Sequence, residues 1–418
     1  MKVALVGNMN NNNFAMLRYL RDLGVDAHLL LFDNEIHHFS PESDTWQIEK
    51  WRPYIHSLPF GNNPRHLMLK SASLIRGAFA SYPFSIGSGL SPALFGKAGL
   101  ILSIFYPYSI GIEWVGVLSS DGRPLSLTHL FHCWVRGRQI KGLRHNTVHC
   151  TCLENLCEIT EKSFAKLGVR PIPLGIPLVY DRERVALDAI SAELRRYKAL
   201  MEGSDLVVFS HARHYWCRRP EDPWSMRMGF LKRNDLLIRA FAEYLKLTRR
   251  SNPLLVLLTY GSDVDDSRRL IAELGIASSV LWLPTMPRRN FTYLMEAADF
   301  VVGEFNTEGA WGGTAWEGLA AGRPVFQAVN FTGDVFRQRA GYDLPPFLHV
   351  GRESDILAHL QHFEVAPDEY AEIGRRGKAW FQRHQGIELA REYVRLLERL
   401  PCAGDAGRDR SETSGNSA

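Results

Sequence analysis

Cysteine is scarce: six residues in 418, at Cys133, Cys150, Cys152, Cys157, Cys217 and Cys402. So sparse a set in so long a chain excludes a disulfide framework and fits a reducing compartment. His149, Cys150, Cys152 and Cys157 lie close in sequence, yet no second C-x-x-C or H-x-x-x-H stands at zinc spacing, which favours buried small residues over a metal site. No apolar run reaches the ~18 residues of a membrane-spanning helix; the nearest, around Leu100 to Tyr108, is far shorter. The amino terminus shows no basic-then-apolar leader and enters a strand pattern at once, Lys2 to Val6. A soluble, cytoplasmic protein is expected. Charge of one sign is also lacking, with 49 Lys and Arg against 45 Asp and Glu, a net +4. That mild basicity suits a polyanionic ligand such as a nucleotide diphosphate and is too weak for a nucleic-acid partner. Finally, no G-x-G-x-x-G follows a strand: Gly7 to Asn13 runs GNMNNNN and Gly87-Ser-Gly89 is a fragment, so a dinucleotide fingerprint is absent and a dehydrogenase disfavoured.

What remains is an ordinary globular composition, 45% hydrophobic and 22% charged, in a chain long enough for two or three domains. Val3 to Val6 reads as a strand, Phe14, Leu17, Leu20 and Leu23 as a helix face, Gly24 as its C-cap, and Ala27 to Phe32 as a strand buried on both faces. This βαβ unit sets an α/β class. A further strand is expected at Leu100 to Phe105, and the three prolines of Pro171 to Pro177 demote that stretch to an edge strand or loop. Asp181 to Met201 reads as charged and helical, a connector. Strands then recur at Leu206–Phe209, Leu254–Thr259, Val280–Leu283, Phe300–Val302 and Pro324–Ala328, with a helix over Asn234 to Arg249. The expected organisation is a first domain over 1–182, a connector over 183–202, a second domain over 203–385, a helix over 386–400 and a disordered tail over 401–418.

The most informative stretch is Asp299 to Phe326, DFVVGEFNTEGAWGGTAWEGLAAGRPVF. A strand ends in a loop where Gly309, Gly312 and Gly313 allow close backbone approach to a ligand. A helix from Thr314 follows, with its N-terminus favouring phosphate. Glu308 and Glu317 flank the turn, as carboxylates that accept sugar or ribose hydroxyls would. A second, basic constellation comprises Arg213, just after the Leu206 strand, and Lys232, ahead of a helix. Fixed cations there would stabilise a departing diphosphate. Gly261, in Tyr260-Gly-Ser-Asp263, and Pro284 to Met286 follow later strands, where open α/β sheets bind ligands. Asp263-Val-Asp265 precedes a helix and reads as capping, so no metal is expected. In the first half, Gly7 and Asn10 lie on the first loop, and Tyr108 and Glu113 follow another strand. Trp134 stands beside a basic run, Arg136, Arg138, Lys141 and Arg144, which is a solvated surface or a contact for an anionic membrane.

The Glu308 to Val325 block resembles the E-x7-E region of the retaining nucleotide-sugar glycosyltransferases of the GT-B type (family 4-like, "glycosyl transferases group 1"). Two departures stand out: eight residues separate Glu308 from Glu317, and Arg233 follows Lys232 where glycine is usual. The resemblance implies two Rossmann-like domains facing a central cleft, with a C-terminal helix crossing back to the first. It implies Arg213 and Lys232 on the diphosphate, with Arg227 a rival for the first, and Glu317 on the ribose. Glu308 falls on the sugar, with Glu304 or a loop amide as alternatives. Gly7, Gly261, Gly309, Gly312, Gly313, Thr314, Pro284 and Met286 fall on the donor side, and Asn10, Tyr108 and Glu113 on the acceptor side. The implied partners are a nucleotide-sugar donor (UDP- or GDP-sugar) and a saccharide, lipid-linked or small-molecule acceptor, with no cofactor. An epimerase using His211, His214 and Glu308, or a non-catalytic nucleotide-sugar-binding scaffold, are the alternatives.

Overall fold

Short apolar runs become the inner strands of two parallel sheets. The computed structural model describes residues 1–33, 35, 40–108, 112–113, 115, 127–151, 158–222, 231–305 and 311–401. The chain divides into two units. The first comprises Met1–Glu42, Gln47–Tyr180 and the chain from Gln385; the second comprises Ser43–Trp46 and Asp181–His384.

In the first unit, β1 (Lys2–Val6), β2 (Asp26–Leu31), β3 (Ile55–Ser57), β4 (Phe84–Gly87), β5 (Ile104–Phe105) and β6 (Val148–His149) pair in parallel in the order β3-β2-β1-β4-β5-β6. Side chains alternate across β1. Val3 and Leu5 pack with Phe14, Leu17 and Leu20 of helix Asn12–Asp22, while Ala4 and Val6 meet Leu94 and Phe95 on the other face. Val3, Ala4, Leu5 and Val6 are all fully buried, which is why this run carries no polar alternation. The helix ends as its sequence dictates: Gly24 takes φ +77° and Val25 N–H donates to the Leu20 carbonyl at 2.9 Å.

Two expectations need correction. The strand expected over Leu100 to Phe105 pairs only at Ile104–Phe105, because Gly99 is left-handed and Leu100 N–H closes the preceding helix onto Phe95 O at 2.9 Å. Asp181 to Met201 is α-helical only over Ala192–Glu202, capped by Ser191, after a single 3-10 turn at Leu187–Ala189, and its Leu194 and Met201 pack on Val207 and Phe209 of the second unit. The Pro171–Pro177 stretch makes a single bridge, Ile172 to Cys150. The last described helix, Ile387–Glu398, belongs to the first unit. Its Leu389, Tyr393 and Leu397 are buried with Val3 and Leu5, and the Tyr393 hydroxyl donates to Gly175 O at 2.8 Å.

The second unit repeats the plan. Strands β7 (Leu206–Ser210), β8 (Pro253–Leu258), β9 (Val280–Leu283), β10 (Phe300–Val302), β11 (Val325–Gln327) and β12 (Leu348–His349) order as β12-β11-β10-β7-β8-β9. Read from its own first strand, each sheet is the doubly wound order 3-2-1-4-5-6, so its switch point lies between β1 and β4 or between β7 and β10. Ligands of such sheets bind at the carboxyl ends of these strands. No described helix is long and apolar enough to cross a membrane.

Candidate functional site

At the second switch point, the loop after β7 is gripped by the turn after β8. Gly261 adopts φ +119°, and a Cβ there would lie 2.2 Å from the His214 carbonyl oxygen and 2.8 Å from Arg213 Cγ. His214 N–H donates to Tyr260 O at 2.7 Å, and Asp263 N–H to His214 O at 3.1 Å. Asp263 does not cap its own helix, as its position suggested. Its carboxylate instead accepts from Trp216 N–H (2.7 Å), Cys217 N–H (2.8 Å), Arg219 (2.8 Å) and the Ser262 hydroxyl (2.8 Å). Burial works to raise its pKa; the N–H groups of Cys217 and Trp216, with Ser262 and Arg219, outweigh that and hold it below the ordinary value. Cys217, Asp263 and Asp266 bring ligand-type atoms within 4.8 Å of one another. Arg219 already bridges both carboxylates, at 2.8 and 3.0 Å.

His214 is wholly buried, with Nδ1 2.7 Å from the Ser267 hydroxyl and its ring 5.3 Å from that of Trp282. Trp282 packs against the sheet core. Burial pushes the imidazole down to about 4, against the opposing pull of Asp263. Between the ordinary 6.5 and 4 the unfolded chain takes up a proton that folded His214 refuses, so stability falls as pH drops through that window. The loss from this group is at most about 3 kcal/mol. Urea midpoints between pH 7.5 and 4.5 should decline, and less steeply in His214→Phe; equal slopes would assign the acid sensitivity elsewhere.

Tyr215 joins the two expected cations. The Arg213 guanidinium, on an exposed residue, lies 5.0 Å over its ring, and Lys232 N–H donates to its carbonyl at 2.6 Å. Lys232 Nζ stands 2.5 Å from Glu304 Oε2, both side chains largely enclosed. Glu304 follows β10, and Gln327 holds its backbone, accepting from Glu304 N–H (3.0 Å) and donating to Glu304 O (2.7 Å). A Cβ on Gly312 would lie 2.6 Å from Glu304 Oε1. Gly312 opens helix Gly313–Ala320, whose N-terminus has no side-chain cap, and the Thr314 hydroxyl is enclosed with no partner among the described residues. Lys232, Glu304 and the glycine turn thus converge beside N–H groups suited to an anion. Arg233 holds φ 53°, the left-handed conformation that explains the glycine usual there in the resembled family. Glu308, Gly309, Arg227 and Trp224 lie outside the described residues.

Glu317 is buried one turn into that helix. It pairs with His211 Nε2, and its other oxygen lies 3.7 Å from Arg288. Arg288 also holds Asp44 at 2.6 Å. Burial lowers the guanidinium's pKa, but Asp44 and Glu317 outweigh it and keep the charge in place. Arg288 was not anticipated; the available signal was an Arg-Arg pair opening a helix just beyond Pro284 and Met286. Pro284 is exposed and Met286 partly buried on the adjoining core.

In the first unit, Gly7 takes φ +80° at the end of β1, with the Phe32 ring 2.8 Å from where a Cβ would sit. The asparagine run is largely spent on its own loop: Asn8 Nδ2 donates to Asn11 (2.7 Å), Phe14 N–H to Asn8 (2.9 Å) and Asn13 Nδ2 to Gly7 O (2.6 Å). Asn10 is exposed at φ 51°. Glu35, which sequence did not single out, accepts from the N–H groups of Asn8 and Phe32, and burial pushes its carboxyl up to about 7. Tyr108 N–H donates to Glu113 at 2.6 Å. Burial, then Glu113 and Glu35, raise the Tyr108 hydroxyl's pKa, with Asn62 opposing. Glu35, Tyr108 and Glu113 therefore form one polar group at the carboxyl end of this sheet.

No protein-family model matches the chain, and no curated protein matches it in sequence. Among solved structures it is similar to HepE of Anabaena in complex with UDP: 16% identity, 96% of this chain, 100% of that one, TM-score 0.60. It is similar also to the UDP-GlcNAc 2-epimerase of Neisseria meningitidis bound to UDP-GlcNAc, at 12% identity, 96% and 100% coverage and TM-score 0.56. The sucrose-phosphate synthase of Thermosynechococcus elongatus aligns at 16% identity, 96% and 98% coverage and TM-score 0.55. Two parallel six-stranded sheets of like order, matched over nearly the whole length of these proteins, give the chain the GT-B architecture of two Rossmann-like domains.

Proposed function

We propose that the protein moves a sugar from a UDP- or GDP-sugar to a hydroxyl acceptor, as a retaining, family 4-like hexosyltransferase in polysaccharide, glycolipid or glycoconjugate synthesis. The observation that carries this reading is Lys232 against Glu304 beside the uncapped Gly312 turn, with Glu317 one helical turn further on. Lys232 and Arg213 stabilise the departing diphosphate, Glu317 the ribose, and the carboxylate beside the glycine turn, Glu308 or Glu304, the sugar. Gly7, Gly261, Gly309, Gly313, Thr314, Pro284 and Met286 complete the donor side. Asn10, Tyr108 and Glu113 serve the acceptor, which Glu35 adjoins. In a retaining transfer of this kind the donor phosphate guides the incoming hydroxyl, so no separate base or metal is required. HepE was solved with UDP and with UDP-glucose, which favours a uridine donor.

A thermal-shift series with UDP-, GDP-, ADP- and dTDP-sugars tests this. One class is expected to raise the midpoint by several degrees, as binding at about 100 Kd contributes roughly 2.7 kcal/mol; no shift with any of them would end the proposal. The His211–Glu317 pair and the likeness to an epimerase favour one second reading, nucleotide-sugar epimerisation. Release of free nucleotide diphosphate only when acceptor is present supports transfer; conversion of the sugar without acceptor supports epimerisation.

A further inference from the structure

Helix Leu127–His145 of the first unit carries four Lys and Arg, three His and no acidic side chain. Its buried side is Val135, Gln139, Gly142 and Leu143, with Val135 and Leu143 in the hydrophobic core. A Cβ on Gly142 would lie 2.0 Å from Pro92 O, so the helix is seated tightly on Ser91–Ala98. An outward side flanking it runs Leu127, Leu130, Trp134, Arg138, Lys141, His145, at spacings of three and four, and all six are exposed. Leu127 is 87% exposed and Leu130 55%. A surface helix serving only the fold turns its apolar residues inward; this one buries Val135 and Leu143 and in addition turns Leu127, Leu130 and Trp134 outward, on a stripe that continues with cations.

A groove of about 820 Å³ joins the start of this helix to helix Pro64–Leu69, lined from one by Leu127, Thr128 and Phe131 and from the other by Pro64 and Arg65. There Met68 is 50% and Leu69 71% exposed. The basic residues exclude a like-charged partner, and the apolar half gives a purely ionic partner nothing to bind. A bilayer of anionic lipid offers both an acyl boundary and phosphates, and tryptophan sits at its headgroup level.

We propose that this face docks on an anionic lipid surface, with Leu127, Leu130, Trp134, Met68 and Leu69 entering the headgroup boundary and Arg138, Lys141 and Arg144 meeting lipid phosphates. The proposal stands apart from the sugar-transfer reading, and either can fail alone.

Sedimentation of the full chain with phosphatidylcholine vesicles, with and without phosphatidylglycerol, tests it. Binding is expected only with phosphatidylglycerol, weakening as salt rises. Arg138→Ala with Lys141→Ala should weaken it by about 25-fold, near fivefold per cation. Leu130→Asp with Trp134→Ala should abolish it, the thermal midpoint staying within a few degrees in both variants. Equal binding to neutral vesicles, or binding unaffected by either pair, would overturn the proposal. So would cation-dependent capture by polyglutamate in place of the vesicles.

Discussion

Lys232→Ala is expected to lower sugar-transfer turnover by about 10²–10³-fold, the usual cost of removing one fixed donor from developing negative charge in an enclosed site. Lys232 is not a freely solvated cation: its Nζ is held 2.5 Å from Glu304 and its backbone is tied to Tyr215. Deleting it also takes the lysine's charge away from the enclosed Glu304, which costs stability as well as activity. The two effects separate in a second variant. Lys232→Ala with Glu304→Gln should regain most of the lost urea stability and none of the turnover lost with the lysine. Turnover within threefold of the parent in Lys232→Ala would remove Lys232 from the diphosphate site.

Glu317→Ala is expected to weaken nucleotide-sugar binding by about 10–100-fold, as loss of a hydrogen bond to a charged group predicts. The carboxylate is buried between His211 and Arg288, and Arg288 in turn holds Asp44. Its removal takes one of the two carboxylates from beside buried Arg288 and opens a void against His211, so the thermal midpoint should fall too. Glu317→Gln keeps the volume and one acceptor oxygen, and is expected to recover part of the midpoint while binding stays weak. Calorimetric titration with the donor found in the thermal-shift series decides; unchanged affinity in both variants would assign Glu317 to the fold alone.

What could be read from sequence was local. Val3–Val6, the Gly24 cap, Lys232 and Glu317 each sit in a pattern a few residues long, set by the period of the element or the chemistry of a turn. Arg288–Asp44 was not legible, because it joins residues 244 apart. Glu35 lacked any motif, and its character comes from Gly7 and Phe32 closing over it. Strand β4 was missed because Phe84–Gly87 is too short an apolar run to count beside the glycines that follow. Helix Leu127–His145 was missed because its apolar residues are spread over both its buried and its exposed sides, so no single face stands out in the sequence. Asp263 looked like a cap and is a clasp for the preceding loop, since only the fold brings Trp216 and Cys217 to it.

The place of Leu389, Tyr393 and Leu397 in the first unit's core sets an order of assembly on the ribosome. Residues 1–180 emerge with one wall of that core missing. The intervening residues 181–384 hold all six strands of the second sheet. At about 5–20 residues per second, roughly 10–40 s of synthesis separates Tyr180 from Gln385. The later-made unit is therefore the first able to close, while the nascent first half keeps apolar surface open that a holdase chaperone would recognise. A chain arrested with His384 clear of the ribosome and Ile387–Glu398 still inside should show a folded second sheet and a protease-sensitive first.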